Sequence, residues 1–156
     1  MSFWRKRRLD YSQITKNLFV GRMPTKNDAD TLSKKGITLI INMRAGRKLH
    51  KIYSPKTITP AWVRTWDSRL MPIYPSKLVP CVKLSLEVIH SGGKVYVDCR
   101  VGRHRSAVAA AAILIAQGNK VDDVLQLLKE KRTIIDTDKA HINKAIQRFA
   151  DYWNKK

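Results

Sequence analysis

Acidic residues are scarce in this chain: 12 Asp and Glu stand against 31 Lys and Arg, for a formal charge of +19. Such a surface attracts anions of many kinds, so nucleic acid, anionic membranes and phosphorylated substrates all remain compatible with it. Cysteine is scarcer still. Cys81 and Cys99 lie 18 residues apart in dissimilar contexts, with no further pair to build a disulfide framework or a zinc site. No apolar run approaches the roughly 20 residues of a membrane span. The basic leader from Met1 to Arg8 lacks the apolar stretch of a secretory signal. These absences point to a cytoplasmic protein, peripheral to membranes at most, and a monomer is expected.

At 156 residues with 44% apolar content, the chain suits one domain with a real core. We assign residues 1–10 to a basic leader and 11–156 to a single domain. Asn17 to Gly21 reads as a short strand, Pro24 to Lys35 as a polar helix stopped at Gly36, and Ile37 to Met43 as an apolar strand covered on both faces. Arg44 to Ala61, basic and without period, reads as a loop before a short strand from Val63 to Trp66. Its cations and the nearby Trp62 and Trp66 are expected to form a pocket rim. Ser76 to His90 repeats apolar residues at helical spacing and ends at Ser91-Gly92-Gly93. Lys94 to Val97 is a strand by propensity, and Ala107 to Ala116 an alanine-rich helix. Val121 to Lys131 and Thr137 to Tyr152 follow as amphipathic helices, the first with Val121, Val124, Leu125 and Leu128 inward, the second with Ile142, Ile146 and Phe149.

Between the strand at Lys94 and the alanine-rich helix stands Asp98-Cys99-Arg100-Val101-Gly102-Arg103-His104-Arg105-Ser106. A Cys and an Arg six positions apart mean little alone. Here, though, a strand delivers the cysteine, Gly102 permits a tight turn, and a helix starts at once. Backbone amides in such a turn, together with the helix N-terminus, make a concave anion site. The same field favours a thiolate at Cys99. Arg105 offers paired donors to two phosphate oxygens, and Ser106 can place a hydroxyl near the sulfur. The backbone and side chains of Arg100, Val101, Gly102, Arg103, His104 and Arg105 are the candidate phosphate-binding set. The competing reading of Cys99 is a buried small hydrophobe at a strand end. For Arg100 and Arg103 it is solvated charge, and His104 reads as a loop residue rather than a catalyst.

The run C-R-V-G-R-H-R-S resembles the Cys-x5-Arg-Ser signature of the protein tyrosine phosphatase superfamily, and the chain looks like a compact dual-specificity phosphatase. The strands at Leu18 to Gly21 and Gly36 to Asn42, and the helix behind the loop, share in the resemblance. It implies an α/β fold with a central mixed, mostly parallel sheet of four or five strands flanked by helices. It also implies a general acid, usually Asp, about thirty residues before the cysteine, a place that Asp67 occupies. The implied reaction forms a phosphocysteine on Cys99 as Asp67 protonates the leaving oxygen, then hydrolyses it with Asp67 as base, using no metal and no other cofactor. One departure stands out: Asp98 replaces the His usual before the nucleophile. An ionised carboxylate there would raise the thiol pKa, unless it points away and is tied up by hydrogen bonds.

The substrate expected from the resemblance is a phosphorylated protein. Arg100 and Arg103 also resemble loops of superfamily branches acting on phosphoinositides and phosphatidylglycerophosphate, which makes an anionic lipid or inositol phosphate the close alternative. Two further classes are carried: a rhodanese-like sulfurtransferase, disfavoured because its cysteine loop is typically shorter, and an inactive phosphate-binding or nucleic-acid-binding module, disfavoured by the intact Cys99, Arg105 and Asp67.

Overall fold

The computed structural model describes residues 8–46 and 57–156. Strands β1 (Tyr11–Gln13), β2 (Leu18–Arg22), β3 (Ile37–Arg44), β4 (Thr59–Thr65) and β5 (Lys94–Cys99) form one sheet in the order β1-β2-β5-β3-β4. Only β1 runs antiparallel, against β2. The expected mixed, mostly parallel sheet is therefore present with five strands. Helices α1 (Ala29–Lys34), α2 (Pro75–His90), α3 (Arg105–Ala116), α4 (Val121–Lys131) and α5 (Ala140–Asn154) complete the chain. None is long and apolar enough among the described residues to cross a membrane.

Alternation along β5 sorts its side chains onto two faces. Val95, Val97 and Cys99 join the large core built with α2 to α5, whereas Tyr96 joins a smaller one with Leu9, Phe19, Leu32, Ile40 and Ile58. Helix α3 lies at the centre of the larger layer, and Ala107 to Ile113 are all fully buried. Its alanines allow this, because a bulkier residue at each turn would hold α3 away from the sheet and from α5. Both β2 and β3 pair with β5, so the chain's last strand is inserted between two earlier ones. In open α/β sheets ligands gather beyond the carboxyl ends of the strands at such a switch point, and here that end is Cys99.

Several boundaries differ from the sequence reading for local reasons. The segment before Gly36 is a 3-10 turn (Lys26–Asp28) followed by a short α1, because the Asp28 carboxylate accepts from the Thr25 amide at 2.6 Å and from the Thr25 hydroxyl at 2.9 Å, fixing a start inside the polar stretch. The loop from Arg44 ends earlier than Ala61, since β4 begins at Thr59 and includes Pro60. An edge strand tolerates that proline, which has no amide to offer a ladder. The remainder of the proposed basic rim, residues 47–56, lies outside the described residues, as do residues 1–7 of the leader. Leu9 is buried and Asp10 is paired with Arg132, so the packed body includes both.

Candidate active site

Strand β5 carries Cys99 to the end of the sheet, and the chain turns through residues 100–104 into the first turn of α3. Gly102 sits at φ +72° against β2; a Cβ there would come within 2.5 Å of the Gly21 carbonyl carbon. Only glycine meets both the left-handed backbone and the close approach. The Cys99 sulfur lies 3.2 Å from the Ser106 hydroxyl. Burial by itself would push the thiol up, but hydrogen bonds from the Ser106 hydroxyl and from the backbone amides of Ser106, Arg103 and Gly102 outweigh it and hold the pKa below its ordinary value. Cys81 has no such ring of donors. Buried on the inner face of α2, its thiol is pushed up to about 12.

Arg105 donates from Nη1 to the Thr65 carbonyl at 3.1 Å, which ties the first turn of α3 to the end of β4, and its Nε has no partner among the described residues. Arg100 and Val101 are exposed on the loop, whereas Arg103 leans on Asp136 at 3.7 Å. His104 is more than a loop residue: its Nδ1 lies 2.7 Å from Asp67 Oδ2. His141, in the first turn of α5, reaches the other oxygen of Asp67 with Nε2 at 2.6 Å. Asp67 is thus brought to the loop that follows Cys99 across 37 residues of sequence. Burial would raise its carboxyl pKa, but the hydrogen bonds from His141 and then His104, with the charges of His104 and Lys139, bring it below the usual value.

Asp98 resolves differently from either alternative posed by the sequence. Its side chain shares the Tyr96 face of β5, opposite Cys99, and is fully buried with neither oxygen hydrogen-bonded among the described residues. Burial pushes the carboxyl pKa well above the ordinary range, the neighbouring Cys99 adds to the rise, and Arg44 and Arg105 only partly offset it. Asp98 is thus shifted toward its neutral form, in which it does not oppose a thiolate at Cys99 with charge.

A native state that binds this proton more tightly than the unfolded chain is stabilised by it most at low pH. That stabilisation is lost as pH rises from the unfolded carboxyl range toward the folded value. Asp98→Asn removes the titration, so its urea midpoint should gain on wild type steadily as pH is raised above about 4. A midpoint difference that stays constant with pH would show that Asp98 is not held neutral.

Sequence reasoning missed the residue that fixes the loop's shape. Arg132, 4% exposed, donates from Nε to the Gly102 carbonyl at 2.7 Å and from Nη2 to the Val101 carbonyl at 2.9 Å. Its other bonds run to both oxygens of Asp10, at 3.1 and 2.9 Å, and to the Ser12 hydroxyl at 3.2 Å. By drawing loop carbonyls outward it leaves the loop amides facing the cysteine. Nothing in the sequence marks it, since it follows α4 as one more cation in a basic chain. No group of three or more His, Cys, Asp or Glu among the described residues could hold a metal ion.

The geometry has clear relatives. The family model described as dual specificity phosphatase, catalytic domain, matches residues 18–149. The chloroplastic phosphoglucan phosphatase LSF1 of Arabidopsis thaliana is 31% identical over 116 residues, covering 67% of this chain and 19% of that protein. The putative tyrosine phosphatase 123R of Invertebrate iridescent virus 6 is 28% identical over 140 residues, covering 89% of this chain and 92% of its own. This chain thus spans about a fifth of the plant protein and most of the viral one. Among solved structures, PTPMT1 in complex with PI(5)P superposes with a TM-score of 0.78 at 20% identity, covering 93% of this chain and 95% of that one.

Proposed function

Because the chain belongs to the dual-specificity phosphatase catalytic-domain family, we propose that it hydrolyses phosphate monoesters through a cysteinyl-phosphate intermediate, acting on phosphorylated proteins at Tyr and at Ser or Thr. The observation that carries this reading is the Cys99 sulfur held below its ordinary pKa by the Ser106 hydroxyl and three loop amides. A thiolate so placed attacks phosphorus in line, while the amides from Arg100 to Arg105 and the Arg105 guanidinium take the three phosphoryl oxygens. Asp67 serves the leaving oxygen and later the attacking water. Ser106 stabilises the sulfur as it leaves in the second step. No metal enters the scheme. The protein is expected to work as a cytoplasmic monomer.

A second reading, an anionic lipid or inositol phosphatase, is favoured by one surface feature. Leu70 is 88% exposed, beside exposed Arg69 and Met71 on the segment that carries Asp67. An apolar tip next to a cation suits an anionic bilayer, and the structural relative bound to PI(5)P shares the fold. Turnover of a phosphotyrosine peptide, a phosphothreonine peptide and a vesicle-borne phosphoinositide should be compared in parallel. The protein-phosphatase reading expects both peptides to exceed the lipid in kcat/KM by about tenfold or more, the equivalent of ~1.4 kcal/mol in the barrier. The reverse order selects the lipid reading, and equally poor turnover of all three argues against both.

A further inference from the structure

A chain of +19 must leave many cations without a carboxylate, so their arrangement is informative and their number is not. Around the loop that follows Cys99 the arrangement is lopsided. A run of contacts leads from His141 to Asp67, His104, Asp136 and Arg103, in steps of 2.6, 2.7, 3.8 and 3.7 Å. Each end of the run borders a cavity. At the Arg103 end the cations are matched, Arg103 by Asp136 and Lys129 by Asp138 at 3.3 Å, and exposed Val101 and Ile134 give that cavity an apolar lip. At the His141 end they are not matched. Arg69, Lys144 and Arg148 line a cavity of about 230 Å³ with His141, and none of the three is ion-paired with a carboxylate among the described residues.

Local structure explains the convergence. His141, Lys144 and Arg148 are spaced by three and then four residues, which sets them along one stripe of α5. Arg69 comes from the segment after β4 that also carries Asp67. The Tyr74 ring lies 5.7 Å from the Arg148 guanidinium and restrains that side chain. Like charges gathered around one concavity repel each other, and an anion placed among them relieves the repulsion. Asp67 does not supply that anion: its two oxygens go to His104 and His141, and it does not line the cavity.

Resting on the phosphatase reading, we propose that this cavity is a specificity subsite for a peptide carboxylate. The substrate is a phosphoprotein with Asp or Glu close to the phosphorylated residue, and Arg69, Lys144 and Arg148 bind that acidic side chain while the phosphate occupies the loop after Cys99. A guanidinium can take both oxygens of one carboxylate, and the Lys144 ammonium adds a further donor. His141 touches both the cavity and Asp67, so an acidic side chain seated here lies beside the group that serves the leaving oxygen. The preference is one-sided, because the matched charges and apolar lip at the Arg103 end offer a carboxylate nothing comparable.

Phosphotyrosine peptides of equal net charge test this, with a pair of glutamates directly before the phosphotyrosine, directly after it, or moved to the far end of the peptide. One flank, and only one, should exceed the far-end control in kcat/KM by about tenfold, as one charge-assisted hydrogen bond supplies. The double variant Lys144→Ala, Arg148→Ala should abolish that excess, and both residues are exposed, so the fold tolerates the change. The exchange Lys144→Arg, Arg148→Lys keeps both charges and should retain most of it. Equal turnover of the three peptides, an equal gain on both flanks, or an excess that survives the double alanine variant overturns the proposal. So does a double alanine variant that loses turnover of a vesicle-borne phosphoinositide while keeping its peptide preference, which would assign the cavity to a lipid headgroup. Calorimetry on Cys99→Ser repeats the comparison without turnover, and affinity for the favoured peptide should fall about tenfold when Lys144 and Arg148 become alanine. If no phosphate ester is hydrolysed, the phosphatase reading fails, while the calorimetric order of the peptides still judges the cavity.

Discussion

Replacing Cys99 with serine is expected to reduce turnover of p-nitrophenyl phosphate by about 10⁴-fold or more, a loss typical of removing the nucleophile from a group that works as a unit. The donors around position 99 are set by the backbone turn and by Ser106, and they survive the substitution. What they can no longer do is favour an anion at the reacting atom, since a serine hydroxyl holds its proton far more tightly than a thiol. Binding should persist, because Arg105 and the loop amides are untouched. Calorimetric titration with a non-hydrolysed phosphate ester should therefore give an affinity within a few-fold of wild type, a difference of under ~1 kcal/mol. Retained hydrolysis in Cys99→Ser would remove the cysteine mechanism. Loss of binding together with hydrolysis would mean that the loop had not kept its shape.

Arg132→Ala should be costly although it lies away from the cysteine. Breaking a buried ion pair from one side costs about 3–5 kcal/mol, and here about 3 is expected because Asp10 is 55% exposed and keeps some water when its partner goes. The larger share comes from the Gly102 and Val101 carbonyls, which lose their donors beneath the loop. Urea unfolding measures the loss. Asp10→Ala should cost distinctly less, since Arg132 would still hold both carbonyls. If the two variants are equally destabilised, the pair with Asp10 and not the grip on the loop is what matters. Arg132→Lys should rescue little, because one ammonium cannot serve two carbonyls and a carboxylate in the geometry of the guanidinium fork.

Local chemistry was legible to different depths along the chain. The strand, glycine turn and helix from Lys94 to Ala116 could be read because each piece depends on neighbours a few residues away: β-branched residues, a left-handed Gly102, then alanines. Ser106 beside the sulfur follows from the same short geometry. Strand β1 could not be read, since three polar-edged residues carry little period and owe their pairing to β2. Pro60 also misled, because whether a proline can lie in a strand depends on the strand being at an edge.

The chain's own residues determine the anion-binding turn, the cysteine and arginine six positions apart, and the alternation of strands and helices. These are matters of covalent geometry, propensity and short-range amide placement. Tertiary structure decides the pKa shifts around them. The Asp98 carboxyl is pushed up because folding buries it on the far face of β5, and the Asp67 carboxyl is brought below its usual value because His104 and His141 meet it from two other elements. Arg132 grips the loop only because the end of α4 packs beside β1 and that turn. Desolvation and charge act through space over a few ångströms, and separation along the chain carries no record of those distances until the chain is folded.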